Sequence, residues 1–314
     1  IRDRSRSLQF PDFFIVGAPR CGTTAMCRYL SRHPQICFSR PKEPHYFSRL
    51  DHDPSAEELR RDYLDKSFGH FEERHTAAGE GSVSYLYLPG VIERINQLNP
   101  AAKFVVLIRN PLSMLPSYHQ RMRFLLQEDQ PDFKKAWDLQ EPRHNGQHVP
   151  RRCLDWRLLM YSRVAMFGVQ VERLFNLVGR ERSHVIVFDD FKVDNRATYL
   201  RLLEFLGVED DGQTDFERRF ASQMYRYEWL QKLLYVPATK GGKAVETLQQ
   251  KSRKYNEDGT RKPSLIKRLA KLNKVPEAPP PLTPEMADIV RETLRSDNEH
   301  LSELLGRDMS AWLD

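Results

Sequence analysis

The sequence predicts an α/β protein: a central parallel sheet flanked by helices, folded as a single domain over its 314 residues. Three stretches carry that expectation. Phe13-Phe14-Ile15-Val16 is a short apolar run punctuated by Gly17 and Pro19 and followed by a helical apolar spacing from Thr23 to Leu30, which reads as strand, tight loop and helix. Lys103 to Ile108 is a second strand whose unbroken apolar run suits a sheet covered on both faces. Val185 to Phe188 is a third.

The remaining elements follow in chain order. Ile36-Cys37, after a turn at His33-Pro34, is a short strand leading into Lys42-Glu43-Pro44. Ala56 to Ser67 is charged, with periodic Leu59, Tyr63 and Leu64, and reads as a surface helix. Gly79 to Leu88 is a strand and turn with an aromatic and hydroxyl cluster (Ser82, Ser84, Tyr85, Tyr87), and Pro89 to Leu98 is a helix begun by proline. From Pro111 the spacing is helical to about Gln127.

Residues 128–152, rich in Pro, Gln, Asp and His, show little periodicity and predict an irregular insertion or lid. Leu154 to Val178 predicts two helices broken near Gly168, and Asn195 to Leu206 an amphipathic helix stopped by Gly207. Phe216 to Tyr235 reads as an aromatic helical region. Residues 236–282 form a basic loop region and a proline-rich connector, and 283–314 a helix, capped by Thr283 and opened by Pro284, whose apolar face docks on the body.

Composition bounds the chemistry. With 40% hydrophobic and 29% charged residues, the chain is long enough to bury a substantial core. Its apolar runs are far too short for a membrane span. Cys21, Cys27, Cys37 and Cys153 show neither C-x-x-C pairing nor metal-ligand spacing, which points to reduced thiols, a cytoplasmic setting and no metal. The formal charge of +6 is uneven, because Lys240 to Lys274 holds 11 Lys or Arg against Glu246, Glu257 and Asp258. Such a segment suits an anionic partner, whether an acidic cofactor, a sulfated or carboxylated acceptor, an acidic carrier protein or nucleic acid; a solvated basic face is the plainer alternative.

Gly17-Ala18-Pro19-Arg20-Cys21-Gly22-Thr23-Thr24 is the chemically informative stretch. Glycines let the backbone wrap a phosphate, and the following helix offers it free N–H groups and a positive dipole end. An ordinary glycine-containing turn is the alternative. The spacing invites comparison with the nucleotide-hydrolase loop G-x-x-x-x-G-K-[ST], but Thr23 stands where that motif needs lysine, and the cation, Arg20, lies inside the loop.

These residues resemble the 5′-phosphosulfate loop of sulfotransferases that use 3′-phosphoadenosine-5′-phosphosulfate (PAPS), roughly G-x-P-[KR]-[SCTG]-G-T-T. Two further stretches occur in the expected order. Pro41-Lys42-Glu43-Pro44-His45-Tyr46-Phe47 is similar to the K-E-x-x-F-F segment of heparan-type carbohydrate sulfotransferases. Leu107-Ile108-Arg109-Asn110-Pro111 with Ser117-Tyr118 is similar to their 3′-phosphate signature. Weaker likeness continues to Leu305-Gly306-Arg307-Asp308-Met309. Met114 replaces a second arginine of that signature, and Gly81 occupies a place where heparan-type enzymes tend to have lysine.

The resemblance implies a P-loop-like fold and transfer of a sulfuryl group from PAPS to a hydroxyl of a carbohydrate, lipid or small metabolite, with release of adenosine 3′,5′-bisphosphate (PAP). It gives Pro19, Arg20, Cys21, Gly22, Thr23 and Thr24 to the 5′ end of the donor and Arg109 and Ser117 to its 3′-phosphate. A loop closing over that phosphate falls near Arg261 and Lys262. Glu43 becomes the base for the acceptor proton, with His45 as its alternative or as an orienting group, and Arg20 neutralises charge on the departing phosphate. Cys21 reads as a small filler. Two rivals remain at this level: an ATP-dependent P-loop kinase, which would need the missing lysine, and a nucleic-acid-binding protein using residues 240–274, for which no recognised module accompanies the charge.

Overall fold

Because Phe13 to Val16 carry no polar side chain, β1 (Phe13–Gly17) can be buried on both faces, and it forms the middle of the sheet. In the computed structural model, which describes residues 10–216, 222–234 and 265–313, five parallel strands run in the order β2-β3-β1-β4-β5. The others are β2 (Ile36–Phe38), β3 (Ala77–Gly81), β4 (Lys103–Ile108) and β5 (Ser183–Val187). β1 pairs with β3 on one side and β4 on the other, Ile15 standing opposite both Gly81 and Val105.

The chain leaves β1 for β2 and β3 on one side, then crosses to β4 and β5. The winding therefore reverses between β1 and β4, and a crevice at the C-terminal ends of those strands is where open α/β sheets hold ligands.

In chain order the helices are α1 (Thr23–Leu30), α2 (Val91–Leu98), α3 (Pro111–Phe124), α4 (Phe133–Asp138), α5 (Gln140–His144), α6 (Tyr161–Ala165), α7 (Phe167–Val178), α8 (Phe188–Val193), α9 (Asn195–Leu206), α10 (Glu228–Leu234), α11 (Leu265–Leu272) and α12 (Pro284–Leu305). The charged stretch 56–68 is also helical, with a π-wound middle turn at Leu59–Leu64. The chain divides into two compact units. One comprises Ile1–Met114, Val164–Phe220 and Ile289–Asp314 and contains the parallel sheet; the other comprises Leu115–Arg163 and Ala221–Asp288.

Small residues on β3 let the sheet's neighbours close in. A Cβ at Gly79 would stand 2.1 Å from the Phe13 ring, far inside contact distance. Gly79→Ala is therefore expected to force Phe13 off its packing and to lower stability by about 1–3 kcal/mol, read from the urea midpoint. An unchanged midpoint would show that Phe13 has room to turn.

Several elements differ from their sequence-based expectation. α2 begins at Val91, not at Pro89, because Gly90, with φ 77°, makes the entry turn. Gly168 itself lies in the first turn of α7, where its amide donates to Asp297 Oδ2 at 2.9 Å and a Cβ would meet Asp297 O at 2.4 Å. The break between the two expected helices falls between α6 and α7, near Gly168 as expected.

Residues 128–152 are irregular only in part. They contain α4 and α5, wrapped around a fully buried ion pair in which Arg143 Nη1 and Nη2 donate to Glu128 Oε2 and Oε1, each at 2.7 Å. Tyr161 OH and the amides of Asp129 and Gln130 donate to the same carboxylate. Burial alone would raise the Glu128 carboxyl, but Arg143 and these donors hold it below the ordinary range. The stretch expected to be helical from Phe216 to Tyr235 holds a strand, β6 (Gln223–Tyr225), paired antiparallel with β7 (Lys274–Pro276), and only then α10. The C-terminal helix is as expected, Thr283 Oγ1 accepting from the Met286 amide and Val290, Leu294 and Leu301 buried.

Candidate active site

The loop after β1 is shaped by backbone requirements. Gly22, with φ 92°, caps α1 in the left-handed region, and a Cβ there would press on the Phe188 ring at 2.9 Å. Arg20 also has positive φ, 64°, and its side chain is half-buried. The Ala18 amide donates to Leu107 O at 2.7 Å, tying the loop to β4. Gly22 at the N-cap of α1 has no side chain to cap it, which leaves the helix's first N–H groups without that partner, as an anion site requires. Cys21 is fully buried, its Sγ 3.4 Å from Pro19 O, and burial pushes its thiol far up, so it packs rather than reacts. Thr23 is buried and Thr24 exposed.

Arg109 follows β4 directly, at the strand end where the winding reverses. Its Nε donates to Ser113 Oγ at 2.9 Å, Nη1 to Arg20 O at 3.4 Å, and the guanidinium lies 4.8 Å from the Phe188 ring centroid. Three contacts thus hold one cation beside the phosphate-type loop, and Phe188 backs both Gly22 and Arg109. Ser117 is buried on α3, in the part that belongs to the second unit. Arg261 and Lys262 lie outside the described residues.

Past β2, the Lys42 to His45 segment gathers into one polar cluster. Lys42 Nζ donates to Glu43 Oε1 and, at 3.4 Å, to Thr24 Oγ1 on the first turn of α1. His45 Nε2 is 3.6 Å from Glu43 Oε2, its Nδ1 is 3.0 Å from Ser84 Oγ, and its amide donates to Ser82 Oγ at 3.1 Å. Burial by itself would raise the Glu43 carboxyl; His45 and Lys42 outweigh it and take the group down to about 2. Glu43 is therefore a carboxylate at neutral pH, but while Lys42 grips it, it is a weak proton acceptor.

Glu43 and His45 stand on one side of the segment. Lys42, Ser82 and Ser84 are the members of the cluster that sequence reasoning did not single out as site residues. The two serines were visible as a hydroxyl cluster, but nothing local to residues 82–84 says that they meet residues 42–45, nearly forty positions earlier. Behind them Glu80 is fully buried on β3 and accepts from Tyr63 OH, burial raising its carboxyl. Gly81, where the heparan-type pattern has lysine, cannot carry a side chain as packed: a Cβ would lie 2.5 Å from Cys27 Sγ.

Comparison with known proteins gives the family and the fold. The sequence matches the sulfotransferase domain family over residues 10–271. The solved structure of a sulfotransferase from Alicyclobacillus acidocaldarius superposes with a TM-score of 0.65 at 25% identity, covering 98% of this chain and 100% of that one. The membrane-associated sulfotransferase kil1 of Dictyostelium discoideum is 27% identical over 134 residues, 42% of this chain and 27% of the relative. Human carbohydrate sulfotransferase 15 is 49% identical over 39 residues, 12% of this chain and 7% of the relative. The matched regions thus span well under half the length of those two curated relatives.

Proposed function

The chain belongs to the sulfotransferase family, and we propose that it moves the sulfuryl group of PAPS onto a hydroxyl of an acceptor, releasing PAP. The observation that carries this reading is the approach of Arg109 Nη1 to the carbonyl of Arg20 at 3.4 Å. The two anion-binding places expected from the motifs are then close enough for a single nucleotide to engage both. The free amides at the start of α1 receive the 5′-phosphosulfate, and Arg109 receives the 3′-phosphate, the group that separates this donor from ATP.

In the transfer, the acceptor oxygen bonds to sulfur in line as the bond from sulfur to the bridging phosphate oxygen breaks. PAP departs with that electron pair, and the acceptor proton passes to Glu43. Little covalent help is needed; placement and charge stabilisation supply the rate, with Arg20 offsetting the charge that grows on the departing phosphate. His45, steadied by Ser84, orients the carboxylate or the incoming hydroxyl. A sugar hydroxyl is the acceptor favoured by the likeness of the Lys42 to Phe47 segment to carbohydrate sulfotransferases.

The test is transfer of labelled sulfate from PAPS to a panel of sugars, lipids and small alcohols, with PAP binding measured alongside. Wild-type protein that neither binds PAP nor labels any acceptor would end this reading.

Lys42 gives a finer prediction. Removing its charge in Lys42→Met leaves burial less opposed at Glu43, so the carboxyl pKa rises from about 2. The acid limb of the kcat/KM profile should move to higher pH, since that limb follows the base in the free enzyme. A profile that stays where it is would remove Lys42 from control of the base.

A further inference from the structure

Helices α10 and α11 leave large apolar side chains in water. Trp229 and Leu233, one turn apart on α10, are 65% and 69% exposed, Tyr227 just before them 53%, and Leu269 and Leu272 on α11 44% and 71%. Four of the ten large apolar side chains exposed among the described residues stand on these two short helices, and Tyr227 beside them is a fifth. Single exposed leucines mean little, but clustering of this kind marks a contact surface.

The surface is built rather than frayed. α10 and α11 pack on each other, and Asn273, buried at the end of α11, joins them. Its Oδ1 accepts from the Tyr227 amide at 2.9 Å, its Nδ2 donates to Tyr227 O at 3.1 Å, and its carbonyl accepts from the Arg226 amide at 2.7 Å. Exposed Leu272 and Tyr227 flank that junction. Beside them in the described sequence are Arg226, Lys232, Arg268, Lys271 and Lys274, all exposed, with Glu228, which Lys232 engages at 2.5 Å, and Glu277 past β7.

We propose that this helix pair docks on an anionic lipid surface. Indole and phenol rings favour the headgroup boundary, leucines enter the edge of the acyl layer, and lysine and arginine stems lie over it with their charges on the phosphates. A second copy of the chain is a poor occupant, because it would set five cations against five. No helix among the described residues is long and apolar enough to cross a membrane, so contact is made along the surface. None of these residues belongs to the donor loop or the Glu43 cluster.

The experiment is co-sedimentation of the full chain with phosphatidylcholine vesicles, with and without phosphatidylserine. Binding is expected to the phosphatidylserine vesicles and to fall as salt is added. Arg268→Gln with Lys271→Gln should weaken it about 30-fold, and Trp229→Ser with Leu233→Ser should abolish it, both with unchanged circular dichroism. Leu272→Ser, at the most exposed of these positions, is the variant safest for folding and should cost roughly tenfold. The proposal is overturned if the wild type ignores phosphatidylserine vesicles, or if Leu272→Ser and the charge variant bind like wild type. A wild-type dimer in gel filtration that the Trp229 and Leu233 changes dissociate would overturn it too, by assigning the surface to self-association.

Discussion

Glu43→Gln is expected to bind PAP as the wild type does and to lose about 10²- to 10⁴-fold in kcat, the usual worth of a positioned general base. The amide keeps the size and the contact with Lys42 but cannot take a proton. Donor binding should survive because the proposed 5′ and 3′ anion sites are the loop after β1 and Arg109, while Glu43 follows β2. A parallel loss of PAP affinity would mean that Glu43 only props the loop through Lys42 and Thr24. Retained turnover would pass the proton to His45, and His45→Ala would then carry the loss.

Arg109→Ala is expected to cost about 2–5 kcal/mol in PAP affinity, as for a charge-assisted hydrogen-bonded pair that loses one partner. The guanidinium is already placed by Ser113, by the Arg20 carbonyl and by the Phe188 ring, so little ordering is left to do on binding. Arg109→Lys should rescue poorly, because an ammonium offers neither the planar fork nor the same stacking on Phe188. Titration calorimetry with PAP and with adenosine 5′-monophosphate separates the explanations. Loss of PAP binding alone puts the defect at the 3′-phosphate; equal loss of both indicates a collapsed loop.

Much of the frame was legible from local pattern. An apolar strand, a glycine-punctuated loop and an amphipathic helix announce themselves over short spans, which is why β1, α1, β4 and the stop of α9 at Gly207 fall where periodicity puts them. The two short helices inside 128–152 were not legible, because they gather around one buried pair, Glu128 with Arg143, fifteen positions apart and silent in any periodicity. Why position 168 is glycine is not legible nearby, because the carbonyl of Asp297 that a Cβ would strike lies far along the chain.

By itself the sequence determined the parallel α/β architecture and the family, since each is written in contiguous residues whose backbone requirements are local. Only the tertiary structure decided that Lys42 grips Glu43, that Ser82 and Ser84 hold His45, and that a side chain at Gly81 would strike Cys27. Those outcomes depend on which strand lies beside which, and non-local packing, not spacing along the chain, sets the distances at which charges and hydroxyls meet.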